Sequence, residues 1–237
     1  MSPRTADPTV RTALIEAAAS LVVREGSDGL TLRRLASEVG TSTMAIYTHF
    51  GGMEQLRRAV RREAFARLAA RLDEVDRTRD PVADMLMFGW AYYSNAADNP
   101  DLYRVMFMEQ PIDAEDAVVG LDTFERLIAV VERCLEAGRF TGGDATTLAT
   151  QLWAAEHGVV SLFLAAIVSR VEALDTVLGT VVNLFKAYGD AQRAISRSLA
   201  AARRRSPDLD ALLAASPGAG LAAALRRSRE APRRLQV

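Results

Sequence analysis

The chain has 237 residues, 49% of them apolar, a single cysteine and a formal net charge of −1. Apolar content on that scale fills the core of one large or two modest domains, while one cysteine excludes both a disulfide framework and a cysteine-rich metal site. The charge is uneven: residues 1–62 hold nine Arg against six acids, residues 63–199 sum to −9, and residues 200–237 hold eight Arg against three acids, a basic head and an acidic body that suit nucleic acid at one end only.

Apolar spacing is helical along the whole chain, and Gly and Pro divide it, so the fold class expected is all-α with about nine main helices. They fall at Thr9–Glu25, Leu32–Val39, Thr43–Phe50, Met53–Asp76, Val82–Ala97, Pro100–Met108, Ala114–Ala137, Asp144–Ser169 and Glu172–Ala202. Ser2–Pro8 is polar and no apolar run nears the ~20 residues that span a bilayer, so a cytoplasmic protein without membrane contact is expected.

The most informative stretch is Thr31–Phe50, TLRRLASEVGTSTMAIYTHF. Thr31 is a good N-cap, and Leu32, Leu35, Ala36 and Val39 share one helical face. Gly40 can take the left-handed turn that stops a helix, and Ser42 can cap the next one two residues later. Two helices joined so tightly cross steeply, as in a helix-turn-helix. In the second helix Ile46 and Phe50 face inward, leaving Thr43, Met44, Tyr47 and Thr48 outward with Ala45 at the boundary. A Met, Tyr and Thr face beside His49 is ill suited to plain solvation.

Further on, Met85, Met87, Phe88, Trp90, Tyr92, Tyr93, Met106, Phe107, Met108 and Phe124 supply adaptable apolar volume. That suits either a core or a pocket for a medium-sized apolar ligand. Cys134, among Val130, Val131 and Leu135, reads as a small buried hydrophobe. Trp153 and His157 are four apart on one helix face, and His157 fits an interior hydrogen-bonding role or a ligand contact. Val159, Leu162, Phe163 and Ala166, then Val177, Val181, Leu184 and Phe185, form two apolar stripes at helical spacing. Beyond Ala202 the composition turns to Ala, Arg, Pro and Gly, with short helices expected at Leu209–Ala215 and Leu221–Arg229 in a partly disordered basic tail.

From Ala13 to Leu56 the chain resembles the DNA-binding domain of TetR-family transcriptional regulators, in its Ala-rich first helix ending at Gly26, its LAxxVGxS turn and its IYTHF segment. The resemblance implies a homodimer whose third helices enter major grooves of a double-stranded DNA operator, with Tyr47 and His49 on phosphates. DNA contacts are then expected from Thr31, Arg33, Ser42, Thr43, Met44, Ala45, Tyr47, Thr48 and His49. The segments LWAAEHGVVSLFL and PDLYRVMF resemble the Trp-His-Gly group of TetR C-terminal domains. A body of this kind senses a small-molecule effector, expected against Phe88, Tyr92, Met106, Phe107, Phe124, Trp153 and His157, while the two stripes pair with a second subunit. Domains are expected at residues 1–52 (DNA-binding), 53–202 (effector and dimerisation) and 203–237 (extension), with no cofactor and no metal.

This chain departs from the family where a lysine commonly follows the turn serine, a proline follows the Phe and a second lysine comes soon after: Thr43, Gly51 and Met53 stand there. Arg33, Arg34, Arg57, Arg58 and an arm through Arg4 or Arg11 are candidate replacements for those cations. An enzyme finds no support in two distant histidines without a Glu-x-x-His pair, a phosphate loop or a nucleophile motif. A helical scaffold that binds a protein partner is the remaining alternative. With no Arg or Lys on the outward face of Thr43–Phe50, base reading rests on apolar contacts to thymine methyls and on threonine hydroxyls. Selection from a random DNA pool is expected to return half-sites rich in A and T; G-rich half-sites would contradict this.

Overall fold

The computed structural model describes residues 7–215, so the short helix expected at Leu221–Arg229 and an arm through Arg4 lie outside the described residues. Asp7 opens α1 (Pro8–Glu25) by accepting the Thr9 N–H at 2.9 Å, and Pro8 takes a first-turn position where its missing N–H leaves no gap. A 3-10 turn (Ser27–Gly29) leads into α2 (Leu32–Val39), α3 (Thr43–Phe50) and α4 (Met53–Asp73). Then come α5 (Pro81–Asp98), α6 (Pro100–Met108), α7 (Ala114–Ala117), α8 (Leu121–Glu136), α9 (Ala145–Leu164), α10 (Arg170–Ala187), α11 (Gln192–Arg205) and α12 (Pro207–Ala214).

The described residues are all-α, but eleven of the helices reach eight residues or more, not about nine. Two expected helices are each broken at a glycine held left-handed. Gly120, at φ 92°, interrupts the run expected over Ala114–Ala137, and a Cβ there would strike the Phe65 ring. Gly189, at φ 101°, interrupts the run expected over Glu172–Ala202, where a Cβ would strike Thr141. Helix α9 also stops at Leu164 instead of Ser169, and Ala166 lies beyond it at φ 57°. The remaining difference is α12, which the tail forms near the expected Leu209–Ala215.

The chain divides into two compact units, residues 7–73 with 94–123 and residues 74–93 with 124–215. In the first, α1 packs on α2, α4 and α6, and Leu14, Ile15, Leu21, Leu35, Ile46 and Leu56 expose no surface. In the second, α9 packs along α10. Cys134 is fully buried there, and burial pushes its thiol up to about 12, the inert state of a structural cysteine.

An ionic network organises the second unit. Asp84 accepts from the Thr78 N–H at 2.8 Å and its hydroxyl at 2.7 Å, from Arg133 at 2.9 Å and from Arg205 at 2.7 Å. Beside it Arg139 holds Asp190 through two nitrogens, at 2.8 and 2.7 Å, and reaches Asp80 at 3.1 Å. Burial alone would raise the Asp84 pKa, yet the bonds from Thr78, Arg133 and Arg205 hold it below the ordinary carboxylate value. The stability it supplies is therefore present above pH 3.8 and lost as pH falls through the lower folded-state value. Removing one partner of a buried charged network strands the others, so Asp84→Ala is expected to cost about 3 kcal/mol near neutral pH. Urea denaturation should show that deficit shrinking in acid.

Candidate nucleic-acid interface and effector cluster

The reading helix is positioned by its two ends. Thr31 accepts the Arg34 N–H at 3.3 Å to start α2, Gly40 turns left-handed at φ 69°, and Ser42 accepts the Ala45 N–H at 3.2 Å to start α3. Gly51, left-handed at φ 83°, stops α3 after eight residues. Ile46 is fully buried and Phe50 half-buried, so the opposite face is forced outward. Thr43, Met44, Tyr47 and Thr48 are exposed, Met44 at 67% and Tyr47 at 48%, while Ala45 and His49 are half-buried. The Thr48 hydroxyl donates to the Met44 carbonyl at 2.9 Å, which leaves its oxygen free to accept from a base.

The candidate cations divide sharply. Arg34 is paired with Glu25 at 2.9 Å and Glu38 at 3.5 Å, and Arg58 with Asp113 at 2.5 Å and Glu54 at 3.0 Å. Arg11 sits over the Phe50 ring at 5.6 Å, and Arg57 donates to the Ser27 carbonyl at 2.6 Å. Those side chains serve the fold. Arg33, by contrast, is exposed and makes no ion pair among the described residues.

Of the residues expected around an effector, the second unit brings four together. The Trp153 indole N–H donates to the Tyr92 hydroxyl at 3.3 Å, and that hydroxyl lies 3.2 Å from His157 Nδ1. Phe124 packs 5.9 Å from Trp153, and the Trp153 and His157 rings are 5.6 Å apart. Burial lowers the His157 pKa, favouring the neutral imidazole. Phe88 is buried in the same unit at 7% exposure. Met106 and Phe107 belong to the first unit instead: Met106 is 1% exposed, and Phe107 packs against Phe65 and Tyr103 at 5.8 and 4.9 Å. Helical spacing could not separate them because both units use the same apolar residue types.

The two stripes also need correction. Val159, Val177, Val181 and Phe185 are buried within the single chain, Phe185 completely and against Phe140, whose ring also packs on Tyr188. Only Leu162, Phe163, Leu184 and the off-helix Ala166 keep exposed surface. The burial of α9 against α10 uses one face of each helix, so the free faces are different ones. Gly158 on α9 and Gly179 on α10 are exposed with open space at the Cβ position.

One charged group, Glu156, was given no role by the sequence, where standing next to His157 on a helix made no catalytic pair. Glu156 on α9 lies so close to Gly89 on α5 that a methyl there would collide with its carboxylate oxygen. It lines a cavity of about 40 Å³ with Trp90, Tyr93, Leu174 and Val177. The available signal was a lone acid amid the apolar run LWAAEHGVV.

A sharply turned helix pair with a buried anchor and an exposed, uncharged reading face defines a helix-turn-helix DNA-binding protein. Residues 14–60 match the family described as bacterial regulatory proteins of the tetR family, and residues 85–178 match the tetracyclin repressor-like C-terminal domain. An uncharacterised HTH-type transcriptional regulator of Mycobacterium tuberculosis is 30% identical over 162 residues, covering 68% of this chain and 73% of that protein. The transcriptional repressor DrrR1 of Streptomyces coeruleorubidus is 34% identical over 123 residues, 50% of this chain and 42% of that one. A tetR-family regulatory protein from Rhodococcus RHA1 shares the fold at TM-score 0.66 and 22% identity, over 77% of this chain and 98% of that one. The chain belongs to the TetR family and is a ligand-responsive, DNA-binding transcriptional regulator.

Burial pushes the Glu156 carboxyl up to about 8. Between pH 4.5, its ordinary value, and about 8 the folded protein holds a proton that the unfolded chain has released. Stability therefore falls with rising pH across that window, by about 1.4 kcal/mol per pH unit for a single group. Denaturation curves of Glu156→Gln are expected to lack this slope and to gain on the wild type from pH 5 to 8; parallel curves would refute it.

Proposed function

We propose that the protein is a repressor that binds a pseudopalindromic operator as a homodimer and is released by a small, largely apolar effector. The observation that carries the reading is the outward face of α3, where Met44 and Tyr47 stay exposed beside Thr43 and Thr48. Exposed large apolar side chains on a capped, anchored helix are costly in water and useful against thymine methyls. Thr31, Arg33, Ser42, Ala45 and His49 complete the contact set, with Tyr47 and His49 on phosphates. Residues 1–52 act as the DNA-binding part, residues 53–202 as the effector and dimerisation part, and residues 203–237 as an extension.

The effector seat is the cluster of Phe124, Trp153, His157 and Tyr92, near buried Phe88, in the Trp-His-Gly pattern. A second copy meets the chain through the open faces of α9 and α10, where Leu162, Phe163 and Leu184 keep exposed surface and Gly158 and Gly179 permit close approach. Two-fold symmetry then sets the reading helices about 34 to 36 Å apart. Release follows if the effector binds one spacing of the heads better than the other, through a shift of α4. The proposed regulator is cytoplasmic and without catalytic activity; no described helix is long and apolar enough to cross a membrane. The helical-scaffold alternative has no observation in its favour.

Gel-shift titration against the DNA flanking its own gene is expected to show salt-sensitive binding. The double variant Tyr47→Ala, His49→Ala should bind about tenfold or more weakly, since positioning contacts to phosphate are lost. Arg33→Ala should flatten the log-log salt dependence by about 1. Equal binding by the double variant would refute the phosphate contacts of Tyr47 and His49, and no binding to any sequence would favour the scaffold.

A further inference from the structure

The first unit contains a cavity of about 380 Å³ lined from α1, α4, α6 and the segment after α6. That is within the range of about 300 to 1,000 Å³ used by small-molecule sites. Val22, Leu30, Val60 and Val105 give it apolar walls. Four charged side chains line it as well: Arg57, Arg61, Glu109 and Asp116.

Each of them already makes a hydrogen bond within the fold. Arg57 Nη2 donates to the Ser27 carbonyl at 2.6 Å, and Arg61 Nη1 to the Glu109 carbonyl at 3.3 Å. The Ser27 hydroxyl donates to Glu109, and Asp116 Oδ2 accepts the Ile112 N–H at 3.1 Å. Three polar atoms remain buried with no hydrogen-bond partner: Nε of Arg57, Nε of Arg61 and Oδ1 of Asp116. Arg61 Nε is 3.8 Å from the other Asp116 oxygen, an ion pair too long for a hydrogen bond. The Asp116 side chain is only 3% exposed, so bulk water does not compensate it. Buried polar groups in native proteins are nearly always partnered, and exceptions mark a water, an ion or a ligand.

We propose that this cavity is a second ligand site, for a small uncharged molecule carrying an oxygen acceptor and a hydroxyl donor on an apolar frame. Two orphaned guanidinium N–H groups call for an acceptor, and one orphaned carboxylate oxygen calls for a donor. The lining charges cancel, two positive against two negative, so an ion would enter with its own charge uncompensated. The site is separate from the Trp153 and His157 cluster of the second unit. Arg57 clasps the 3-10 turn just ahead of the Thr31 cap that starts α2, so an occupant bound to Arg57 ties the entry of the helix-turn-helix to α4. Its binding is therefore coupled to DNA affinity, and DNA to its binding.

The test uses the full chain and three probes on one frame, 4-hydroxyacetophenone, acetophenone without the donor, and charged 4-hydroxybenzoate. Calorimetry is expected to show saturable one-to-one binding of 4-hydroxyacetophenone, with the other two about tenfold or more weaker. Val105→Phe, which fills the cavity, and Asp116→Ala, which removes the acceptor, should each abolish it. Hydrogen exchange on the wild type gives a location that needs no variant: protection should appear at residues 27–30 and 109–112. No saturable binding of 4-hydroxyacetophenone would mean a cavity that holds water only and would overturn the proposal. So would equal binding of acetophenone or 4-hydroxybenzoate, survival of binding in both variants, or protection confined to residues 153–163.

Discussion

Ile46 is the constraint on which the DNA-facing surface depends. An eight-residue helix is far too short to persist in water by its own hydrogen bonds, so α3 exists because one side chain is driven into the core formed with Leu35 and Leu56, none of them exposed. Fixing that side chain fixes the rotation of the helix. Once Ile46 points inward, Met44 and Tyr47 have nowhere to go but out. The Ser42 cap and the left-handed Gly51 then set where the helix starts and stops. The apolar surface that α3 exposes is thus a consequence of its anchor, and a change of register by one residue would bury the reading face and expose the anchor.

The arginines near the head obey a second constraint, namely that a guanidinium close to an acidic side chain is held there. Arg34, Arg58 and Arg67 each pair with at least two acids. The Asp113 carboxyl is held well below the usual range, above all by its hydrogen bond from Arg58. Individually such exposed pairs contribute little. Collectively they withdraw positive charge from the surface, and the basic head counted in the sequence is much less basic as a DNA-facing surface. Arg33 is exposed and makes no ion pair among the described residues. The outward face of α3 thus presents shape and apolar surface more than charge.

How much of this was legible in the sequence depended on the range of the interaction. The bounds of α2 and α3 could be read because Thr31, Gly40, Ser42 and Gly51 act on their own neighbours, and the inward and outward residues of α3 followed from spacing. The breaks at Gly120 and Gly189 were not legible. Glycine inside a helical pattern is tolerated at modest cost, and the neighbour that leaves no room for a side chain at the break is Phe65 in one case and Thr141 in the other, distant in sequence. For the same reason the stripe through Val177, Val181 and Phe185 could be seen as apolar but not assigned a partner. Tyr92, Trp153, His157 and Phe124, grouped in the sequence, do lie against one another, while Met106 and Phe107 were grouped with them by residue type alone. Arg57 read as a cation available to DNA, and nothing local shows that it or Arg61 turns inward.

Those inward turns give α4 a specific mechanical place within the first unit. Its opening turns carry Arg57, Arg58, Arg61 and Arg62, and each holds a different part of the surrounding chain: the Ser27 carbonyl, Asp113, the Glu109 carbonyl and Glu115. One face therefore grips the turn that leads into α2, and another grips the segment between α6 and α7. Packed side chains shift between discrete arrangements and do not deform continuously. A displacement of α4 along its axis would have to break or exchange several of these bonds together. The same bonds resist small fluctuations and transmit large ones, so an event that repositions residues 109–116 is felt at the entry to the reading helices. By the same linkage, DNA that fixes those helices favours one arrangement of residues 109–116.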